Sequence, residues 1–173
     1  MMAGSHALWA AAAWSLISHA HGLAAPIGAD LVGQISIAVG AGIAVAGGLA
    51  ADIDHPASFV GRRLWFVSEP LSAVIGHRGL THSLIGAALA MALLWRYRMP
   101  SDGGLDILAP AAVGYLTHIF CDALTRPGVP LYYPSRRLYG LNLFTTGSWV
   151  EMLLDLVVAL VALSEMGWLG WTL

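Results

Sequence analysis

Three short polar islands hold the residues with useful chemistry: Asp52-Ile53-Asp54-His55-Pro56, His77-Arg78-Gly79-Leu80-Thr81-His82-Ser83, and His118-Ile119-Phe120-Cys121-Asp122. Together with His6 they contain five of the seven histidines and three of the ten acids. The chain is 58% hydrophobic and only 10% charged, so each ionisable residue carries a cost of placement. Carboxylates and imidazoles gathered at the ends of apolar segments are the donors of a metal site at a membrane surface. Imidazole mixed with carboxylate suits zinc, manganese or iron better than calcium, which prefers all-oxygen shells.

Each island also has a plainer explanation. His118 and Asp122 are four apart, so on a helix they share a face and can bind one ion, or serve as a hydrogen-bonded pair between helices. Asp52 and Asp54 fall at the end of an apolar helix, where the macrodipole already presents negative charge. A cation should offset them: Arg62, Arg63, Arg78 or a metal ion. The alternative is a solvated turn closed by His55-Pro56. In the middle island Gly79 permits a tight turn and Thr81 or Ser83 can cap the following helix. Arg78 can hold an anion by its planar fork. Of His77 and His82, one can be a ligand and the other a proton donor or base; a capping turn with incidental histidines is the rival. His19 and His21 read as packing or interfacial residues, and Cys121 as packing. Glu151 and Asp155 either orient a ligand histidine or are simply acids favoured at a helix N-terminus.

The elements that must position these islands are apolar helices. At 173 residues the chain is read as one domain over 1–173, and its mean hydropathy of +0.73 points to a membrane protein. The fold class expected is all-α, a polytopic bundle of about five transmembrane helices. They cover about His6–Ala25, Leu31–Ala51 with Asp30 as N-cap, Thr81–Arg98, Leu105–Leu124 and Val150–Trp171. Gly40, Gly42, Gly47 and Gly48 give the second a small-residue surface for close approach. Phe59–Val74 mixes large apolar residues with Arg62, Arg63, Ser68 and Glu69, as an interfacial amphipathic helix does. Pro127, Pro130 and Pro134 make 126–142 a loop. Trp149, Trp168 and Trp171 read as interfacial anchors. A net charge of −2 without lysine gives no electrostatic footprint for nucleic acid, and one cysteine excludes an internal disulfide or a Cys-type zinc site. The N-terminal apolar stretch has no Lys or Arg before it and is read as a retained helix.

If the helices alternate in direction, His6, Asp52–His55, His77–His82 and His118–Asp122 all reach one membrane face. Arg62, Arg63, Arg78, Arg126, Arg136 and Arg137 flank that face, whereas Arg96 and Arg98 flank the other. The positive-inside rule then puts the site on the cytoplasmic face, with the N-terminus inside.

The runs Asp52-Ile-Asp-His-Pro-Ala-Ser-Phe-Val-Gly-Arg-Arg-Leu, His77-Arg-Gly-Leu-Thr-His-Ser-Leu, Gly114-Tyr-Leu-Thr-His-Ile-Phe-Cys-Asp-Ala-Leu-Thr and Pro127-Gly-Val-Pro-Leu resemble the YdjM-like family. Its members are bacterial inner-membrane proteins described as metal-dependent hydrolases, one of them regulated by the LexA repressor. The likeness covers about residues 1–140 in order, with His6 in the Gly-x-His position. It implies a membrane-bound hydrolase in the bacterial inner membrane. The ligand order, an early His, then Asp, then His, then His-x-x-x-Asp, is also similar to zinc-dependent phospholipase C and related nucleases. That likeness implies phosphoester hydrolysis.

The expected scheme follows. One or two divalent ions, zinc before manganese or iron, sit on Asp52, Asp54, His77, His118 and Asp122, with His6 as a further candidate ligand. The ion acidifies water for attack. His82 or His55 shuttles the proton, and Arg78 steadies an anionic substrate, a phosphoester of a lipid or other membrane-associated molecule. Two rivals stand beside it. A metal or proton transporter would want polar residues across the midplane, yet Ile35–Ala46 and Ile85–Leu94 carry no charge and no inverted repeat is visible. A non-catalytic membrane scaffold would use the same His and Asp residues as a structural network.

Overall fold

The computed structural model describes residues 1–24, 37–76, 79–97 and 107–165. It is all-α among these residues: α1 (Ala3–Ala24), α2 (Ile37–Ala50), α3 (Trp65–Ile75), α4 (Leu84–Tyr97), α5 (Leu108–Leu124) and α6 (Trp149–Glu165). A short 3-10 turn, Ala51–Asp54, continues directly from α2. Asp30, His77, Arg78, Arg98, Trp168 and Trp171, to which the sequence assigns roles, lie outside the described residues.

The core is three helices held together by small side chains. On α2 a Cβ at Gly47 would run into the Ala111 carbonyl of α5, and a Cβ at Gly114 of α5 into the Ala44 carbonyl of α2. Backbone approach this close lets interhelical dispersion substitute for the hydrophobic effect that lipid does not supply. Trp14 of α1 lies over Gly40, and Ala10, Trp14 and Ala44 form one buried cluster. A second cluster joins Ala51, Ala87, Tyr115, Ile119 and Val129, bringing α4 and the loop after α5 onto the bundle. Cys121 is buried against Met1, Leu124 and Phe144, in the packing role expected of it.

α6 packs on α1 through polar groups. Ser5 lies 2.7 Å from both Glu151 and Asp155, and Trp9 Nε1 donates to Asp155 at 2.8 Å. At the other end His19 Nε2 lies 3.5 Å from Glu165. The two helices therefore run parallel.

Burial is inverted relative to a water-soluble bundle. Ser5, His6, Asp54, His82, Ser83, His118, Asp122 and Glu151 are buried, while Leu89, Leu93, Trp95, Leu153, Leu156 and Leu160 are exposed on α4 and α6. An apolar exterior around a polar interior is the pattern a lipid solvent selects.

Five full spans are not what the described helices amount to. Among the described residues one stretch is long and apolar enough to cross a membrane, α2 with its 3-10 turn, Ile37–Asp54. α1 has 22 residues, but Ser5, His6, Ser15, Ser18 and His19 dilute its apolar character. α4, α5 and α6 have 14, 17 and 17 described residues, short of the roughly 20 needed for a perpendicular span. The amphipathic helix begins later than expected, at Trp65, because 55–64 is a run of turns. Trp65 and Phe66 on it are exposed.

The 126–144 segment is a loop, as its prolines require, and it is tied down by backbone pairing. Leu141 and Leu143 donate to the Ala123 and Leu124 carbonyls at 2.8 Å, satisfying acceptors that the end of α5 would leave open. Leu84 donates to Leu131 at 3.1 Å, so the same loop holds the start of α4.

Candidate metal centre

Four chain segments deliver donors to one end of the bundle, and each is placed by local structure. His6 sits in the first turns of α1, and Asp52 in the 3-10 turn ending α2. That turn is closed by Ser58, whose hydroxyl donates to the Asp52 carbonyl and accepts from the Gly61 N–H, both at 2.9 Å. A side chain at Gly61 would strike the His55 carbonyl, so the turn requires glycine there. His82 directly precedes the N-cap of α4: Ser83 Oγ accepts the Gly86 N–H at 3.0 Å. His118 and Asp122 share one face in the last turns of α5.

The donor atoms lie close together. His82 Nε2 is 3.3 Å from Asp52 Oδ1, 3.3 Å from His118 Nε2 and 3.6 Å from Asp122 Oδ2. His118 Nε2 is 3.6 Å from Asp52 Oδ1 and 3.9 Å from Asp122 Oδ2. His6 Nε2 is 3.2 Å from Asp122 Oδ1, and its ring stacks on His118 with centroids 3.7 Å apart. Donors about 2.1 Å from a shared tetrahedral ion stand roughly 3.4 Å from each other. The observed spacing fits that geometry. Two overlapping sets emerge, His6–His118–Asp122 and Asp52–His82–His118. Asp122 divides its oxygens, Oδ1 toward His6 and Oδ2 toward His82. The Met1 ammonium also donates to Asp122 Oδ1 at 2.8 Å.

The donor side chains of His82, His118, His6 and Asp122 are 0–3% exposed, whereas Asp52 is 21% exposed. The cluster therefore opens on its Asp52 side.

Asp54 is not in the donor set. It is fully buried, its Oδ2 lies 3.9 Å from His82 Nδ1, and both its oxygens lack a hydrogen-bond partner. It stands behind His82 on the side away from the cluster, where Thr81 Oγ1 also meets Nδ1 at 3.0 Å. A carboxylate in that place acts on the imidazole through its charge, at a distance too long for a hydrogen bond. His82, read from sequence as a proton shuttle, contributes a donor atom to the cluster. His55 is half-buried on the Asp52 turn and is not among the converging donors.

Three supporting groups were not legible at the outset. Tyr115 donates its hydroxyl to the Thr81 carbonyl at 2.6 Å, locking the His82 turn onto α5. Its place one turn before His118 was the available signal. Ser5 and Trp9 flank His6 and bind Glu151 and Asp155. These acids hold the helix that carries His6 and do not touch an imidazole ring of the cluster. Glu151 also accepts from Met2 N at 2.8 Å and Gly147 N at 2.7 Å. The Ser148-x-x-Glu151 spacing is a capping-box pattern and marked Glu151 as a structural acid.

A cavity of about 660 Å³ lies beneath the proline-rich loop and is lined by Ile75, Gly79, Tyr133 and Arg136 among others. It places an arginine near the segment leading to His82.

An all-helical membrane protein with a buried His/Asp cluster at one end of its bundle is the class these observations define. The chain belongs to the YdjM family: the family model described as YdjM inner membrane protein matches residues 1–173. It is 44% identical to Inner membrane protein YdjM of Escherichia coli (strain K12) over 90 residues, 51% of this chain and 45% of that relative. It is 35% identical to Uncharacterized protein YvsG of Bacillus subtilis (strain 168) over 108 residues, 62% of this chain and 65% of that protein. The match thus spans about half the length of the E. coli relative. No solved structure matches. The family places the chain in the inner membrane.

Proposed function

We propose that this protein is a membrane-bound metal-dependent hydrolase acting on a phosphoester of a lipid or other membrane-associated molecule. The observation that carries the proposal is the convergence of His6, Asp52, His82, His118 and Asp122 from four segments into one buried cluster at metal-ligand spacing. Three carboxylates, Asp52, Asp54 and Asp122, face imidazoles in a region of low dielectric, which favours a bound cation. The mixed nitrogen and oxygen donors suit zinc first, then manganese or iron. The division of the donors into two sets sharing His118 accommodates one or two ions.

A divalent ion in this cluster supplies the positive charge that polarises a phosphoester and acidifies water. The chain's own residues do the rest. Thr81 holds the His82 ring so that Nε2 faces the cluster, and the charge of Asp54 acts on the ring from behind. The exposed side of Asp52 admits the substrate. His55, on the same turn and outside the donor set, carries the proton to the leaving group. Arg78 and Arg136 bind the anionic ester. The arginine distribution and the parallel course of α1 and α6 support a multi-pass topology with the site on the cytoplasmic face. α2 and α4 carry no charged residue through their centres, which disfavours a transport path.

The test is a phosphoester screen on detergent-purified protein reconstituted with zinc, manganese or iron, beside Asp52→Asn and His82→Ala. Metal-dependent hydrolysis lost in both variants supports the proposal. Full metal loading with no turnover of any phosphoester contradicts it.

A further inference from the structure

An apolar crevice of about 490 Å³ runs between α2, α4 and α5. Its two ends can be located on all three helices. At one end are Ala50 of α2, Gly86 of α4 and Tyr115 of α5; at the other are Ile43, Leu94 and Ile107. Seven or eight residues at a rise of about 1.5 Å make the crevice roughly 10–12 Å long along the helices. The first end abuts the metal cluster. Ile53, which lines it, lies between Asp52 and Asp54, and Thr81, which also lines it, bonds the His82 ring. The open side of the cluster and the inner end of the crevice thus share the 51–54 turn.

We infer that the crevice holds one acyl chain of a membrane phospholipid while its phosphate head reaches the cluster beside Asp52. The inference rests on the hydrolase reading and narrows its substrate to a straight-chain amphiphile. Three features on the helices select that occupant. The walls are almost wholly apolar, with Gly47, Leu89, Leu93 and Ala111 among the lining residues. Taking a methylene as about the size of a water, ~30 Å³, the volume is ample for one chain, and the length of roughly 10–12 Å takes about eight or nine extended methylenes, the headgroup half of an acyl chain. Leu89 and Leu93 also face the exterior of the bundle, so a chain can enter sideways from the bilayer.

The experiment uses a phospholipid with a 16-carbon chain bearing a diazirine at about its ninth carbon, photolysed with metal-loaded protein in vesicles and mapped by peptide mass spectrometry. Label is expected at Leu93, Leu94 and Ile107, the end away from the cluster. Ala90→Phe, which fills the crevice, is expected to lower that label about tenfold or more. Should Ala90→Phe lose its metal, and with it its fold, Leu93→Trp decides. By blocking the far end it should exclude the 16-carbon probe and still admit one with a chain of about six carbons. Label scattered over Leu153 and Leu156 of α6, unchanged by either substitution, overturns the inference. So does displacement of the phospholipid probe by polyprenyl phosphate alone. Metal content and hydrolysis of a soluble phosphoester are read on the same sample. Scattered label with both intact overturns the acyl-chain crevice alone; crevice label without either supports the crevice and overturns the hydrolase.

Discussion

His82 and His118 present their Nε2 atoms to each other at 3.3 Å, from positions 36 residues apart in the chain. Both nitrogens also lie within 3.6 Å of the same oxygen, Asp52 Oδ1. Imidazole nitrogens converging with carboxylate oxygens from separate helices describe a site for a cation. The bundle is built to make that meeting happen, with α2 and α5 in glycine-mediated contact behind the cluster.

Asp54→Asn should leave the donor set intact and weaken metal binding by about 10–100-fold, the range for lost support of a ligand histidine. Competition against a fluorescent chelator reads this. Affinity equal to wild type would show that Asp54 does not act on His82.

Glu151→Ala should destabilise the protein by about 2–3 kcal/mol, because the Met2 and Gly147 N–H groups lose their acceptor, while the Ser5 hydroxyl keeps Asp155. Thermal unfolding in detergent checks this. Metal affinity should fall as well, since α1 carries His6 and is held by Glu151. An unchanged melting temperature would remove Glu151 from that role.

Gly114→Val places a side chain against the Ala44 carbonyl and should force α5 away from α2. The expected cost is about 1–3 kcal/mol of overpacking. Metal occupancy should drop in parallel, because His118 and Asp122 move relative to Asp52. Substitution at Gly42, where a Cβ meets nothing within 4 Å, is the control and should change neither.

His55→Ala should retain bound metal while losing hydrolysis, whereas His82→Ala should lose both. Retention of metal in His82→Ala would return His82 to the proton-transfer role that its sequence position first suggested.

Much of this site was legible because membrane helices make polar residues conspicuous. In a chain with so few ionisable groups, His6, Asp52, His118 and Asp122 had little else to do, and the expected alternation of helices brought them to one end. The distinction between Asp52 and Asp54 was not legible. Two residues apart on a turn, they differ only in which way the 3-10 geometry aims them, and that depends on Ser58 and Gly61 closing the turn behind. The roles of His77 and His82 were equally undetermined by spacing. His82 became a donor because Ser83 caps α4 and Tyr115 fixes the Thr81 carbonyl. Helix existence followed apolar content, with boundaries shifting at Trp65 and Leu84, where turn hydrogen bonds override hydrophobic pattern. The crevice had no local signature, since its lining comes from three helices whose apolar residues look alike in sequence.

Elemental analysis of detergent-purified protein, wild type beside His118→Ala and Asp122→Asn, tests the central claim most directly. Stoichiometric zinc, manganese or iron in the wild type, lost in both variants while the helical circular dichroism persists, is the expected result. Absence of bound metal from the wild type, even after reconstitution with each ion, would contradict it and leave the cluster as a hydrogen-bonded lock between helices.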